Sequence, residues 1–154
     1  MKAQEIHDLL EGREFVSVAT CDFKGRPNVA PKFFLKSSGC NIYLIDYVIG
    51  KTFDNVKINP RVSLSMMDLE TLTGYQINGT AELIEKGEEY NKLLNELTDK
   101  EISLSSKRIL EGIDSGKKHK TFELAFSERI TIFKVKIEEF VEITPLGKLK
   151  RQII

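Results

Sequence analysis

The segment Gly50-Lys51-Thr52 combines a glycine, a cation and a hydroxyl, the composition of a small phosphate-binding site. Glycine lets the backbone approach a ligand, and a helix that begins here presents N–H groups without partners inside the helix. We expect Thr52 to cap that helix. The segment resembles the end of a P-loop, but that motif needs a glycine where this chain has Ile45, so a nucleoside-triphosphatase is not predicted. The alternative is an ordinary capped helix with an exposed lysine.

A second candidate segment, Pro31-Lys32-Phe33, interrupts an otherwise regular strand pattern. Proline has no N–H for a sheet ladder, so it belongs at a sheet edge or a bulge. Backbone groups left unpaired there, beside a cation and an aromatic ring, could bind a flat heterocycle. The alternative is an edge strand with Phe33 or Phe34 in the core. Because the two candidate segments lie on adjoining predicted elements, one could contact a planar ring and the other its phosphate tail.

Patterns for metal binding or acid–base catalysis are not found in the sequence. Cys21 and Cys40 do not form a C-x-x-C pair, and His7 and His119 lie far from each other along the chain. A zinc site would need about four such ligands at closer spacing, so no metal is predicted. We expect both histidines to be solvated. With no Ser/His/Asp, Cys/His or paired-carboxylate arrangement, the catalytic residues remain unknown.

Composition and charge describe a globular chain of 154 residues. The 23 Lys and Arg residues are balanced by 23 Asp and Glu residues, so no net field favours nucleic-acid binding. No apolar run approaches the roughly 20 residues of a membrane helix, and the first residues carry no secretory core. We therefore expect a single domain over residues 1–154 in the cytoplasm, with neither nucleic acid nor membrane as a partner.

Hydrophobic periodicity predicts an α+β domain, mainly β, that is built on a small antiparallel barrel. The first three of its six strands should form a meander, and Gly79 should mark a bulge in the fifth. The strands are predicted at 15–20, 28–36, 41–45, 61–67, 74–84 and 129–143. The helices are predicted at 3–11, at about two turns before Asn59, at 88–98 and at 103–111. The basic segment 148–151 is predicted to follow the last strand without a regular element.

Together these segments resemble the FMN-binding split barrels, the superfamily of pyridoxamine 5′-phosphate oxidase and of small FMN-binding proteins. The resemblance runs from about Glu5 to Ile143 and depends on the order and spacing of several short motifs. These are Val16-Ser17-Val18-Ala19-Thr20, Gly25-Arg26-Pro27, Pro31-Lys32-Phe33, Gly50-Lys51-Thr52 with Asn55, Asn59-Pro60-Arg61-Val62 and Gly79-Thr80-Ala81. It implies a six-stranded antiparallel split β-barrel with peripheral helices, FMN as cofactor, and a homodimer with FMN at the subunit interface.

The resemblance also implies which residues hold the cofactor. The segment at 50–52 would hold the phosphate, the segment at 31–33 would lie along the isoalloxazine ring, and residues 46–47 would line the ribityl chain. Lys32 is the candidate for stabilising the anionic reduced ring, and Gln76 is assigned to the contact with the partner subunit. The implied cofactor-binding residues are Pro31, Lys32, Phe33, Asp46, Tyr47, Gly50, Lys51, Thr52 and Gln76.

The implied function is that of an FMN flavoprotein, an oxidoreductase that passes hydride or electrons between a small-molecule donor and an unidentified small acceptor. A non-catalytic FMN carrier, a sensor or a small-ligand-binding barrel remains an alternative. Related barrels bind haem or the deazaflavin F420, and haem would need an axial ligand such as His7 or His119. The arginine- and histidine-bearing C-terminal motif of the vitamin B6 oxidases is not matched by residues 146–154, so oxidation of pyridoxamine phosphate is not implied.

Overall fold

Seven strands and three helices form the described part of the chain, residues 3–114 and 130–154 of a computed structural model. The strands are β1 (Phe15–Cys21), β2 (Pro27–Ser38), β3 (Asn41–Asp46), β4 (Arg61–Asp68), β5 (Thr73–Ile84), β6 (Thr131–Ile143) and β7 (Leu149–Ile153). The helices are α1 (Ala3–Leu10), α2 (Lys51–Ile58) and α3 (Glu88–Asp114). In these ranges no helix has the length and apolar content needed to cross a membrane.

The first six strands close into an antiparallel barrel, as predicted. The sheet order is β3-β2-β1-β4-β5-β6-β7, and a further pairing of β3 with β6 closes the ring. One edge of β6 pairs with β5, whereas its other edge is shared between β3, at Thr131–Lys136, and β7, at Glu139–Ile143. The long last strand of the barrel thus joins three neighbours, and β7 is an extra strand outside the ring.

The barrel is split along β2. The first part of this strand, from Pro27 to Phe33, pairs with β1, but β3 pairs with β2 only from Phe33 to Ser38. The stretch 27–32 therefore has a free edge, and Pro31 lies on it, which confirms its predicted edge position. Helix α2 contacts β1, β2 and β5. The helix that follows β3 thus packs near the part of β2 that β3 leaves unpaired.

The barrel interior is filled by alternate residues of the strands, as a period of two requires. Phe34, Leu44, Leu64 and Ile77 are almost completely buried there. Helix α1 adds Ile6 and Leu10 to the same core, and both are fully buried. Burying one such side chain stabilises a fold by about 1.5–3 kcal/mol, so this cluster fixes the strands that carry the candidate site.

Gly79 lies at the predicted bulge, where the β5–β6 register shifts between Asn78 and Gly79. A Cβ at this position would overlap the carbonyl oxygen of Lys136 on β6 and would lie 3.0 Å from its carbonyl carbon. Only glycine allows the two backbones to approach this closely.

Two predicted elements differ from the structure. The helices expected at 88–98 and 103–111 are one continuous helix, α3. The polar run Asp99-Lys100-Glu101 interrupts the apolar pattern but contains no glycine or proline, so the backbone stays helical. Strand β7 was not predicted, because its five residues are all exposed and carry no alternating apolar pattern.

By its contacts the chain forms two compact units, Met1–Ile84 with Ile130–Ile154, and Glu85–Arg129.

Candidate cofactor site at the split of the barrel

The N-terminus of α2 is a free, positively polarised helix end. Gly50 is the N-cap in an extended conformation, and its carbonyl accepts the first helical hydrogen bond from the Asp54 N–H at 3.2 Å. No side chain of the described residues caps the helix. The expectation that Thr52 caps the helix is wrong, because Thr52 is the second helical residue and its side chain is buried. Lys51, the first helical residue, is exposed. Uncapped N–H groups beside a lysine suit an anion such as phosphate.

A polar cluster, defined as the buried Thr20, Thr52 and Asn55 with the half-buried Asn28, joins β1, β2 and α2 next to this helix end. The Asn28 amide donates to Thr52 Oγ1 at 3.2 Å and to Thr20 Oγ1 at 3.4 Å. The Asn55 amide also donates to Thr20 Oγ1, at 3.0 Å. Sequence reasoning left Thr20 and Asn28 out of the site, yet a signal existed: Thr20 is the position where the inward-facing Val16 and Val18 alternation of β1 becomes polar.

One atom of the polar cluster has no partner. Asn55 is 1% exposed, and its Oδ1 accepts no hydrogen bond from the described residues. A buried acceptor without a donor costs about 1–3 kcal/mol. A ligand that brings an N–H or O–H group to this position would remove that penalty. The uncapped helix end and this acceptor have the chemistry to engage a ligand such as FMN, whose ribityl chain carries hydroxyl groups and ends in a phosphate.

A buried ion pair lies where the β2–β3 ladder stops. Phe33 opposite Ile45 is the last paired position of the ladder, and Lys32 and Asp46 are the next residues on the two strands. Lys32 Nζ lies 2.7 Å from Asp46 Oδ2, with the two side chains 7% and 10% exposed. Asp46 Oδ1 also accepts from the Val48 N–H at 3.3 Å, at the start of the segment leading to Gly50. The Asp46 carboxylate therefore balances the positive charge of Lys32 in this structure.

An aromatic cluster adjoins the ion pair along the chain: Phe33 follows Lys32 on β2, Tyr47 follows Asp46 after the end of β3, and Phe15 lies opposite Phe33 on β1. The ring centroids of Phe33 and Tyr47 are 6.1 Å apart, and those of Phe33 and Phe15 are 5.7 Å apart, both in edge-to-face geometry. Phe33 is buried, Tyr47 is half-buried and Pro31 is exposed. Phe34, on the opposite side of β2, lies in the barrel core. Both phenylalanines are thus buried, on opposite faces of the strand.

Eight of the nine predicted cofactor-binding residues lie on β2, at the end of β3 and at the start of α2. The ninth, Gln76, lies on β5, where its amide donates to Ser63 Oγ at 3.1 Å and to Asn78 Oδ1 at 3.0 Å. The register connects Pro31 to Gln76 through β1 and β4, three strand spacings or about 14 Å. Within one chain, the structure does not bring Gln76 to the other eight.

The outer face of the barrel around Gln76 has small side chains at its centre. Ser17, Ala19, Ser63 and Ser65 occupy its centre by the β1–β4 register. Exposed apolar side chains surround them: Phe15, Val29, Met67 and Ile153. A cleft of about 560 Å³ opens on the same face, with Arg61, Asn78 and Glu139 among its lining residues. Hydrogen bonds from Asn78 and Arg151 hold the pKa of Glu139 below its ordinary value.

His7 is less solvated than expected. Its Nδ1 lies 2.7 Å from Ser37 Oγ and its Nε2 lies 3.5 Å from Glu11 Oε1. Ser37 and Asn28 stand near opposite ends of β2, so His7 is remote from the polar cluster. His119 lies outside the described residues. In the described ranges no group of His, Cys, Asp or Glu is arranged to hold a metal ion.

Comparison with known proteins agrees with this architecture. The family model for pyridoxamine 5′-phosphate oxidase matches residues 3–139. The heme oxygenase HutZ of Vibrio cholerae is 34% identical over 67 residues, which cover 44% of this chain and 38% of HutZ. The match therefore spans well under half the length of that relative.

Two solved structures show the same fold at low identity. A Clostridium acetobutylicum protein related to general stress protein 26, of the pyridoxinephosphate oxidase family, has a TM-score of 0.65 at 19% identity, covering 99% of this chain and 94% of that one. A pyridoxamine 5′-phosphate oxidase-related, FMN-binding protein of Nostoc punctiforme has a TM-score of 0.54 at 12% identity, covering 99% and 93%. Because the family model covers most of its length, the chain belongs to the pyridoxamine 5′-phosphate oxidase family.

Proposed function

We propose that this chain binds FMN at the split of the barrel and is an oxidoreductase that passes hydride or electrons to an unidentified small acceptor. The observation that carries the proposal is the uncapped N-terminus of α2, with Lys51 at its first position, beside a buried Asn55 oxygen that receives no donor from residues 3–114 and 130–154. Bound FMN would supply the redox chemistry, while the protein would hold the cofactor and adjust its properties.

The phosphate would be held by the first-turn N–H groups of α2 and by Lys51. Thr52 would contribute its hydroxyl proton, since its Oγ1 accepts a hydrogen bond from Asn28 and the hydroxyl has one proton left to donate. A dianionic phosphate at a helix N-terminus gains from the partial charge of the helix as well as from the lysine. Gly50 would leave room for its approach, because no atom lies within 4 Å of the place where a Cβ would stand.

The isoalloxazine ring would lie along the free edge of β2, on Pro31, Lys32 and Phe33. The stretch 27–32 has no strand on one side, so its backbone groups on that side are available to the polar edge of a ring. Asp46 and Tyr47 would line the path from ring to phosphate, since Asp46 contacts Lys32 and the two residues lead along the chain towards Gly50. Phe33 and Tyr47 would provide apolar contact to the ring.

A second copy of the chain would complete the site. The outer face of β1 and β4, with its small central residues and apolar surround, suits close packing against an identical face. Gln76 supports this arrangement, because it lies on that face at about 14 Å from Pro31. In a homodimer it would belong to the FMN site of the partner rather than to its own.

Haem binding is the second candidate, favoured by the identity with HutZ. A haem iron would need an axial ligand, and His7 lies near the far end of β2, in contact with Ser37 and Glu11. The polar cluster and the uncapped helix end have the hydrogen-bonding character of a phosphate and polyol site, so FMN remains the better fit. A non-catalytic FMN carrier would use the same residues, and only turnover with reduced nicotinamide and an acceptor dye separates it from an enzyme.

The test is the visible absorption spectrum of the purified protein, followed by titration with FMN. Lys51→Ala should raise the Kd for FMN about 10- to 100-fold, because it removes a charged hydrogen bond worth about 1–3 kcal/mol. Lys57→Ala is the matched control: it removes the same charge from the other end of α2, where Lys57 lies over the Phe53 ring. Equal FMN affinities for the two variants would refute the phosphate site, and a haem spectrum would replace the cofactor.

A further inference from the structure

The Lys32–Asp46 ion pair is unusual in its place and its isolation. It follows the last rung of the β2–β3 ladder, so side chains connect the two strands where their backbones separate. The 2.7 Å contact between Nζ and Oδ2 lacks hydrogen-bond alignment, and Oδ2 has no hydrogen-bond partner in the described part of the chain. Among the same residues, the Lys32 ammonium has Asp46 as its one partner. Ammonium protons are therefore left for another acceptor.

Fold stability does not account for this pair. Two charges that are nine-tenths buried lose hydration that their mutual attraction only partly returns, so an apolar pair of similar volume would stabilise a barrel equally well or better. The surroundings suggest a different role. Asp46 receives the Val48 N–H on its other oxygen, so the carboxylate is held by the backbone of the segment that leads to α2. The lysine is the partner with free donors, and the aspartate is the partner with a fixed position.

Resting on the FMN site proposed above, we propose that Asp46 is a positioning residue for Lys32. It holds the ammonium at the flavin ring and, by neutralising part of its charge, sets how strongly the site prefers reduced over oxidised FMN. Reduction followed by loss of the N1 proton leaves a negative charge on the ring, which a nearby cation stabilises and a nearby anion destabilises. Lys32 alone would favour the reduced cofactor strongly, and the ion pair moderates that preference.

The test is the two-electron midpoint potential of bound FMN, measured together with FMN affinity and thermal unfolding. Asp46→Asn frees the ammonium and should raise the ratio of reduced to oxidised FMN affinity at least tenfold, which corresponds to a shift of about +30 mV. Lys32→Met leaves a buried carboxylate and should shift the potential in the opposite direction. Lys57→Met, which removes a lysine from the last turn of α2, should leave the potential unchanged.

A double variant covers the case in which the single variants unfold. Lys32→Met with Asp46→Leu replaces the pair by apolar side chains, a change that buried ion pairs tolerate, and its potential should lie between those of the wild type and Lys32→Met. Potentials within about 10 mV of the wild type for every variant that binds FMN would overturn the proposal and leave the pair a structural strap. A wild-type protein that binds no FMN would overturn both this inference and the proposed function.

Discussion

The replacement Asn55→Ala tests whether Asn55 Oδ1 accepts a hydrogen bond from FMN or whether Asn55 serves only the stability of the fold. In the free protein it removes the bond from the Asn55 amide to Thr20 Oγ1, worth about 1 kcal/mol. It also removes the buried Oδ1, for which the described part of the chain supplies no donor and whose penalty is about 1–3 kcal/mol. The two effects oppose each other, so the free energy of unfolding without FMN should stay the same or rise by up to about 2 kcal/mol.

FMN should reveal the role of the missing oxygen. At 100 times its Kd, a ligand adds about 2.7 kcal/mol to the free energy of unfolding. If Oδ1 accepts a hydrogen bond from FMN, its loss should raise the Kd about five- to tenfold. At the same FMN concentration the added stability would then fall to about 1.4–1.8 kcal/mol. Chemical denaturation with and without FMN measures both quantities on one preparation.

Asn59→Ala is the matched control, because Asn59 is the C-cap of the same helix and both ends of its amide are engaged. Its Nδ2 donates to Cys21 Sγ at 3.1 Å and its Oδ1 accepts from the Arg61 N–H at 3.2 Å. This variant should lose about 1–2 kcal/mol of stability and keep its affinity for FMN. The reasoning fails if Asn55→Ala instead destabilises the free protein by more than about 2 kcal/mol and leaves the Kd unchanged. An ordered water would then satisfy Oδ1.

Two further changes test the barrel and the proposed dimer. Gly79→Ala forces a Cβ against the Lys136 carbonyl and should cost more than about 3 kcal/mol in thermal unfolding. Gly74→Ala, on the same strand, meets Ile143 at an ordinary 3.6 Å and should be tolerated, so equal stabilities would contradict the close approach at the bulge. Ser65→Arg should give a monomer in sedimentation velocity and weaken FMN binding, whereas Ser38→Arg at the exposed end of β2 should change neither. A Ser65→Arg dimer with normal FMN affinity would exclude this face as the interface.

The strands of the barrel were predictable from local patterns. The alternation of Val16 and Val18, the proline at position 31 and the glycine at position 79 each have a direct physical consequence, and the structure confirms the strands, the free edge and the bulge. The pairing of β3 with β6 was not predicted. It joins residues 85 to 95 positions apart, from Asp46 with Thr131 to Asn41 with Lys136, and nothing local in either strand specifies the neighbour at its second edge.

The site was only partly predictable, because its parts depend on contacts between elements. Lys32 was interpreted as the cation that stabilises the anionic reduced ring, and nothing in its immediate sequence indicates that Asp46 Oδ2 lies 2.7 Å from its Nζ. Likewise, Thr20 and Asn28 look like ordinary polar strand residues until the register sets them opposite each other, beside Asn55 of α2. Charge pairing and polar networks form across a fold, so a sequence pattern finds their members only when another signal marks them.

The split of the barrel lies where the β2–β3 ladder ends, and it makes room for the candidate cofactor site. Had β3 continued beside 27–32, its backbone would have occupied the free edge of β2 and displaced α2 from its contact with β1 and β2. Pro31 offers no N–H to such a strand, and the Asp46 side chain binds Lys32 and the Val48 N–H at the residue where β3 ends. The chain therefore leaves the sheet and begins a helix at Gly50. The end of the β2–β3 ladder thus provides three features close together: a free edge on β2, a buried charge pair between β2 and β3, and the uncapped helix end that follows β3.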